Sequence, residues 1–143
     1  MKLMVINGPN LARLDIRDSS IYGDLDYGQL KSLIESSAKD AGFDADVRQS
    51  NDEATIISWL HEAADAKLPV IINPAAFTHY SYAIRDAAEL LTAPLIEVHL
   101  SNPMAREEFR HTSVISGVAQ GTIAGFGPNS YVLAVNALKA LLG

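Results

Sequence analysis

Four apolar residues followed by a polar turn stand close to the start of the chain, at Leu3-Met4-Val5-Ile6-Asn7-Gly8-Pro9-Asn10. An apolar run this short, bounded by glycine and proline, is typical of a strand that is buried on both faces. The stretch Val70-Ile71-Ile72-Asn73-Pro74 repeats the pattern further along the chain. Longer stretches with apolar residues at helical spacing separate such runs, which predicts an α/β protein with a parallel sheet.

Extending the pattern outward gives the order of the predicted elements. Strands are predicted at 3–6, 43–48, 70–72, 94–98 and 122–124, and helices at 27–41, 53–66, 79–91 and 129–142. We expect the third helix to bury Ala83, Ala87 and Leu90. Five strands favour the flavodoxin-like order 2-1-3-4-5, with right-handed crossovers and helices on both faces, whereas a closed barrel needs about eight.

Composition bounds the class of protein. The length of 143 residues suits one domain spanning 1–143, and the absence of cysteine excludes disulfides, thiolate nucleophiles and zinc–cysteine sites. The net charge of −6 disfavours a nucleic-acid partner, and an anionic small molecule would need a local cluster of arginines. No apolar run approaches membrane length, and Met1-Lys2 leads straight into a strand, so we expect a cytoplasmic protein without a membrane partner.

Polar side chains follow the predicted strands, at the point where each strand ends. The groups are Asn7 to Asn10, Gln49-Ser50-Asn51, Asn73-Pro74 and His99 with Ser101-Asn102, and Glu97 lies inside the fourth strand. The carboxyl ends of parallel strands share one edge of the sheet, where ligands bind. Asparagine and serine also act as turn formers and helix caps, but their recurrence at successive strand ends favours a polar pocket.

The segment 11–26 is long for a connection between a strand and a helix, which usually takes about 2–6 residues. It contains Arg13, Arg17 and Tyr22. Long connections of this kind often act as lids over a site. The alternative is a surface excursion in which Arg17 is simply solvated.

Motifs for several common chemistries are missing. No phosphate-binding G-x-x-x-x-G-K-[ST] loop and no G-x-S-x-G elbow occur, and the histidines lack the spacing of metal ligands. Ser81 and His79 are two residues apart on a predicted helix, so their side chains diverge and do not form a nucleophile pair. We therefore expect no metal and no cofactor.

Acid–base chemistry by side chains remains. Tyrosine is a poor base because its ordinary pKa is about 10, but a cation within ~4–6 Å favours the phenolate, and Arg17 precedes Tyr22 in the same segment. His99, held by the carboxylate of Glu97, suits a general acid. Asn10 and Asn73 can donate hydrogen bonds to an oxyanion. Arg106 and Arg110 add positive charge. The set suits removal of a proton beside a carbonyl and loss of a leaving group.

The sequence resembles the type II 3-dehydroquinate dehydratases over nearly its whole length. The shared motifs are Asn7-Gly8-Pro9-Asn10-Leu11, Arg17, Ile21-Tyr22-Gly23, Gln49-Ser50-Asn51, Ile72-Asn73-Pro74, Thr78-His79, Arg85-Asp86, Glu97-Val98-His99-Leu100-Ser101-Asn102, Arg106-Glu107 and Phe109-Arg110-His111. Several separate motifs in the right order make this resemblance specific. It implies a flavodoxin-like hydro-lyase of the shikimate pathway, assembled as a homododecamer of trimers, that converts 3-dehydroquinate to 3-dehydroshikimate and water.

The resemblance also implies roles for individual residues. The catalytic residues would be Tyr22 as base, Arg17 favouring its phenolate, His99 as acid, Glu97 orienting His99, and Asn10 with Asn73 at the enolate. The substrate contacts would be Asn73, His79, Leu100, Ser101 and Arg110, with Asp86 contributed across a trimer interface. The anionic substrate would explain a cationic cluster in an acidic protein.

The chain departs from the family's pattern in the segment 11–26. The family usually has N-L-N-x-L-G-x-R-E-P, whereas this chain has Ala12, Asp15, Asp18 and Ser19 at the differing positions, and Asn-Pro-Gly becomes Asn73-Pro74-Ala75. Asp15 adds negative charge near Arg17, and losing glycine and proline alters flexibility. A non-catalytic binding module on the same fold therefore stays open as an alternative, and a flavin-binding electron carrier rests on the fold alone.

Overall fold

A five-stranded parallel sheet forms the centre of the computed structural model, which describes residues 1–143. Its strands are β1 (Lys2–Asn7), β2 (Asp44–Gln49), β3 (Val70–Asn73), β4 (Leu95–His99) and β5 (Gly121–Ala124). They lie in the order β2-β1-β3-β4-β5, with Val5 opposite both Val47 and Ile71. The predicted flavodoxin-like arrangement is confirmed.

Five α-helices accompany the sheet: α1 (Ser19–Tyr22), α2 (Tyr27–Asp40), α3 (Glu53–Asp65), α4 (Tyr82–Ala88) and α5 (Asn129–Leu142). Short 3-10 turns include Leu11–Ile16, Ala75–His79, Pro103–Ala105, Glu108–His111 and Ser116–Val118. None of the helices is long and apolar enough to cross a membrane.

Alternate side chains of the strands feed two separate cores, one on each face of the sheet. Leu3 and Val5 of β1 pack with α2 and α5, through Leu30 and Tyr131 among others. Met4 and Ile6 of the same strand belong to the opposite cluster, which includes side chains of α3 and α4. Strands buried on both faces show near-continuous apolar sequence, which is why β1 and β3 are recognisable without alternation.

The helix predicted at 79–91 differs most from its prediction. Residues 75–79 form a 3-10 turn instead, and α4 begins only at Tyr82, because the Ser81 side chain accepts a hydrogen bond from the backbone N–H of Ile84. The later start places Ile84 and Ala87 in the core. Two of the expected inward residues, Ala83 and Leu90, are exposed. His79 thereby lies before the helix, at the carboxyl edge of the sheet.

The segment 11–26 is structured. It consists of the 3-10 turn Leu11–Ile16 and the four-residue helix α1, with Leu11 and Leu14 buried in the core of the α2 and α5 face. Asp18 caps α1 by accepting from the backbone N–H of Ser20. Gly23, which ends α1, has a φ of +91° and approaches Pro128 so closely that a Cβ atom would lie 2.9 Å from the proline ring. These contacts tie both ends of the segment to the body of the protein.

Candidate active site

A cavity of about 130 Å³ opens at the carboxyl edge of the sheet, where β1, β3 and β4 end. It is lined by Pro9, Asn10, Leu11, Arg17, Tyr22, Asn73, Ala75, Ala76, His79, His99, Leu100, Ser101, Pro103, Arg106 and Arg110. Nine of the eleven residues predicted for the site lie in this lining. Glu97 lies fully buried against His99, and Asp86 is exposed on α4, outside the cavity of its own chain.

The turn after β1 is held against β3 by the backbone. The N–H of Gly8 donates to the carbonyl of Asn73 at 2.8 Å, and a Cβ atom on Gly8 would come within 2.8 Å of the Pro74 backbone. Only glycine permits this approach. Asn10 then adopts the left-handed conformation with φ 70°, and its N–H donates to the Asn51 side chain at 3.0 Å. The end of β2 thus fixes the residue that faces the cavity.

Arg17 and Tyr22 lie in contact at one wall. The guanidinium carbon of Arg17 is 3.5 Å from the centre of the Tyr22 ring, and that of Arg106 is 5.1 Å away. Burial lowers the pKa of Arg17, and contact with Tyr22 opposes this shift while Arg106 and Arg110 reinforce it. Even so, an arginine stays charged at neutral pH, so two cations face one phenol ring.

Asp15, which adds a negative charge close to Arg17 in the sequence, pairs with Arg13 in the structure. Its carboxylate accepts from the Nε of Arg13 at 3.0 Å, and this hydrogen bond lowers the pKa of Asp15. Both side chains point into solvent, with 62% and 50% of their surfaces exposed. The negative charge is therefore neutralised locally, and Arg17 has no carboxylate partner among the ion pairs of the structure.

His99 is paired with Glu97 beneath the cavity. Its Nε2 lies 2.6 Å from Oε2 of Glu97, which is fully buried. Burial pushes the pKa of Glu97 upward, but hydrogen bonds from His99, Ser116 and Thr78 outweigh it, so the pKa is below its usual range. An ionised carboxylate only accepts, so Nε2 of His99 carries a proton and Nδ1 is the nitrogen left for other partners.

Three hydroxyl groups complete the surroundings of Glu97. Thr78 donates to Oε2, Ser116 donates to Oε1 at 2.6 Å, and the Ser113 hydroxyl lies 3.0 Å from Oε1. Ser113 and Ser116 are not among the residues predicted from the sequence. The available signal was the charged Glu97 inside an apolar strand, because a buried carboxylate requires donors and the hydroxyl-rich stretch 112–116 supplies them.

Hydrogen bonds hold the remaining polar side chains at the opening of the cavity. Nδ1 of His79 lies 2.8 Å from the carbonyl of Thr112, so this nitrogen donates and Nε2 is left free. Arg106 donates to the Ser101 hydroxyl at 3.2 Å. Arg110 donates to Glu107 at 2.7 Å, and this contact lowers the pKa of that exposed carboxylate.

Asn73 lines the cavity, and its side chain is held by hydrogen bonds to Ala75 and to the buried Tyr131. The side-chain oxygen of Asn73 accepts from the N–H of Ala75 at 3.1 Å, and its Nδ2 donates to the buried Tyr131 hydroxyl at 2.9 Å. Ala75 has a φ of 52°, a left-handed conformation that is strained for an alanine. Tyr131 was not among the predicted site residues, since its place on an apolar helix face gave no sign of a polar role.

The arrangement can bind a small organic anion and move protons. Arg17, Arg106 and Arg110 share one cavity, although the whole chain carries a net charge of −6. A phenol beside a cation, a histidine beside a carboxylate and asparagine amides line the same space. No group of three His, Asp or Glu side chains is arranged to hold a metal ion.

Fold and site together define a flavodoxin-like protein with a cationic pocket at the carboxyl edge of its sheet. The sequence profile described as "Dehydroquinase class II" matches residues 1–139, and the chain belongs to this family.

Relatives support this membership. The chain is 54% identical to a 3-dehydroquinate dehydratase from Mycobacteroides abscessus, covering 94% of each chain. It is 50% identical to another of that name from Salinispora tropica, covering 98% of each. The type II dehydroquinase structure from Propionibacterium acnes superimposes with a TM-score of 0.94 at 47% identity, covering 97% of this chain and 96% of that one.

Proposed function

We propose that this protein is a shikimate-pathway hydro-lyase that converts 3-dehydroquinate to 3-dehydroshikimate and water. The observation that carries the proposal is the shared cavity in which Arg17 lies 3.5 Å over Tyr22 and His99 lies against the buried Glu97. Family membership supplies the substrate, because relatives at about 50% identity bear the dehydratase name. The reaction uses side chains, without metal or cofactor.

Tyr22 acts as the base in the first step. The positive charges of Arg17 and Arg106 over its ring stabilise the phenolate, which takes a proton from the carbon beside the substrate ketone. The electron pair of the broken C–H bond moves to the ketone oxygen and forms an enolate. Asn10 and Asn73 line the cavity and supply donors to this oxygen, directly or through an ordered water.

His99 acts as the acid in the second step. The enolate collapses, the C–O bond of the β-hydroxyl breaks, and His99 protonates the leaving oxygen so that water departs. Glu97 accepts from Nε2 of His99, so that Nδ1 is the nitrogen that can deliver the proton. Its lowered pKa keeps Glu97 ionised, and the carboxylate holds the imidazole ring of His99 in position for the transfer.

Substrate binding uses the polar groups around the opening. Arg110, His79, Ser101, the backbone of Leu100 and the amide of Asn73 hold the substrate's carboxylate and hydroxyls. We propose that Asp86 serves the cavity of a neighbouring subunit, a role compatible with its exposed place outside the cavity of its own chain. This arrangement fits the homododecamer of trimers that we propose for this cytoplasmic enzyme. The segment 11–26 closes over the substrate as a lid.

The binding-module alternative rested on the substitutions in that segment. Asp15 pairs with Arg13 and Asp18 caps α1, so neither charge lies against Arg17 in this structure. That finding favours a working enzyme.

Ultraviolet absorbance tests the proposal directly. Dehydration creates a conjugated enone, so we expect absorbance to rise when purified protein is mixed with 3-dehydroquinate, with and without a chelator. A flat trace from folded protein that still binds product would overturn the proposal in favour of a binding module. A trace abolished by the chelator would contradict the metal-free mechanism.

A further inference from the structure

A buried chain of hydrogen bonds runs beneath the cavity from α5 to β1 and β3. The Tyr131 hydroxyl donates to the side-chain oxygen of Asn7 at 2.6 Å and accepts from Nδ2 of Asn73 at 2.9 Å. Tyr131 and Asn7 are fully buried, and Asn73 is 3% exposed. Asn73 alone of the three lines the cavity, so the chain links the protein interior to one group of the site.

The direction of these hydrogen bonds follows from the Asn73 end. The backbone N–H of Ala75 can only donate, so the atom of Asn73 that faces it must be the oxygen. Burial raises the pKa of Tyr131, so its phenol keeps its one proton, and that proton goes to Asn7. The phenol oxygen can therefore only accept from Asn73. The amide of Asn73 has one further N–H, which is left for the cavity.

Turning the Asn73 amide over would break this pattern. Its NH2 group would then face the Ala75 N–H, and its oxygen would face a phenol oxygen whose proton is already given to Asn7. A buried polar group left without a partner costs about 1–3 kcal/mol. Without the Tyr131 hydroxyl, the Ala75 N–H alone would hold the amide, so the NH2 group of Asn73 would lose its second restraint and point less precisely into the cavity.

We propose that Tyr131 is a positioning residue, which holds the Asn73 amide so that an N–H group is presented to the reacting oxygen in the cavity. The inference rests on the proposed function, because it concerns the enolate formed there. Tyr131 does not line the cavity, so it acts only through Asn73. The donor is needed most where negative charge develops, so its loss lowers kcat more than it raises KM.

A double-mutant cycle tests the proposal. Tyr131→Phe removes one oxygen atom and keeps the ring in its core, and we expect kcat to fall about tenfold, the loss of one well-placed hydrogen bond. In an Asn73→Ala background the same change should leave kcat unaltered, because no amide remains to be positioned. Tyr80→Phe, which removes a hydroxyl from an exposed tyrosine outside the cavity, is the control and should keep wild-type kcat.

The kinetics of these variants distinguish a positioning role of Tyr131 from a role in stability alone. Equal losses from Tyr131→Phe in both backgrounds would overturn the positioning role and assign Tyr131 to stability alone. If Tyr131→Phe does not fold, Asn7→Ala replaces it, since a phenol freed from Asn7 turns its proton toward Asn73 and disturbs the same amide. Its loss of kcat must likewise vanish with Asn73→Ala. An inactive wild-type protein would instead overturn the proposed function, and the role of Tyr131 in it.

Discussion

At the scale of single residues, the proposed base Tyr22 lies in direct contact with Arg17. The guanidinium carbon of Arg17 is 3.5 Å from the centre of the Tyr22 ring, within the range of a cation–π contact. The second guanidinium of Arg106, at 5.1 Å, adds to the same field. Because the ring is half-buried, water screens these charges less than it would at the surface.

Tyr22→Phe removes the base and keeps the ring beneath Arg17. General base catalysis contributes about 10²–10⁴-fold to a rate, so we expect kcat to fall by at least about a hundredfold with the thermal midpoint nearly unchanged. Steady-state kinetics by enone absorbance and thermal unfolding measure the two effects. Tyr80→Phe, at an exposed tyrosine outside the cavity, is the control. Wild-type turnover by Tyr22→Phe would remove Tyr22 from the mechanism.

The buried carboxylate of Glu97 predicts a pH dependence of stability. Its pKa is lower in the folded protein than in the unfolded chain, so ionised Glu97 stabilises the fold above the unfolded pKa of about 4.3. That contribution is lost as the pH falls through the lower folded pKa. Glu97→Gln should therefore cost about 2 kcal/mol at pH 7, and the difference from wild type should shrink in acid.

Urea unfolding between pH 7 and about pH 3 measures this difference, because the contribution of Glu97 begins to fall once the pH drops below its unfolded pKa of about 4.3. The exposed Glu108→Gln serves as the control for a change of surface charge. A difference between wild type and Glu97→Gln that stays constant down to the lowest pH would contradict the argument.

At the scale of elements, the 3-10 turn Ala75–His79 begins with a strained residue. Ala75 has φ 52°, which costs an alanine about 1 kcal/mol that glycine does not incur. Ala75→Gly is thus expected to raise the free energy of unfolding by about 0.5–1 kcal/mol. The hydrogen bond from the backbone N–H of residue 75 to the Asn73 side chain is kept in this variant. Ala76→Gly, at the next position and without a positive φ, should lower stability by a similar amount.

Chemical denaturation of the three proteins at one protein concentration measures this pair of changes. If both glycine variants lose stability equally, the left-handed conformation of Ala75 carries no strain that glycine relieves.

How far the sequence predicts the structure depends on the element. Strands buried on both faces, such as Val70–Asn73, are visible as apolar runs, and α5 begins and ends where its spacing places it. The predicted start of α4 was wrong because a single hydrogen bond, from the backbone N–H of Ile84 to the Ser81 side chain, decides where this helix begins.

In the candidate site, Arg17, Tyr22 and His99 were identified from chemistry and motif. Ser113, Ser116 and Tyr131 were missed because their partners lie 16, 19 and 58 residues away.

At the scale of the whole molecule, the chain shows more apolar surface than its cavity explains. Tyr82, Met104 and Phe109 are 59–69% exposed, and aromatic and methionine side chains are enriched at interfaces between subunits. Asp86 lies on the same helix as Tyr82 and is also exposed. A head-to-tail trimer would cover such residues and carry Asp86 to the next subunit.

Mixing two impaired variants tests whether Asp86 serves a neighbouring cavity. Asp86→Ala keeps its own Tyr22, and Tyr22→Phe keeps its own Asp86, so each homo-oligomer should have little activity. When both are unfolded together and refolded at equal concentration, a trimer ring with random assembly has about a quarter of its sites with both residues intact. Activity should recover to about that fraction of wild type. Refolding each variant alone is the control, and a mixture no more active than the two controls would place Asp86 in the function of its own chain or in none, because only a site shared between subunits can be restored by exchange.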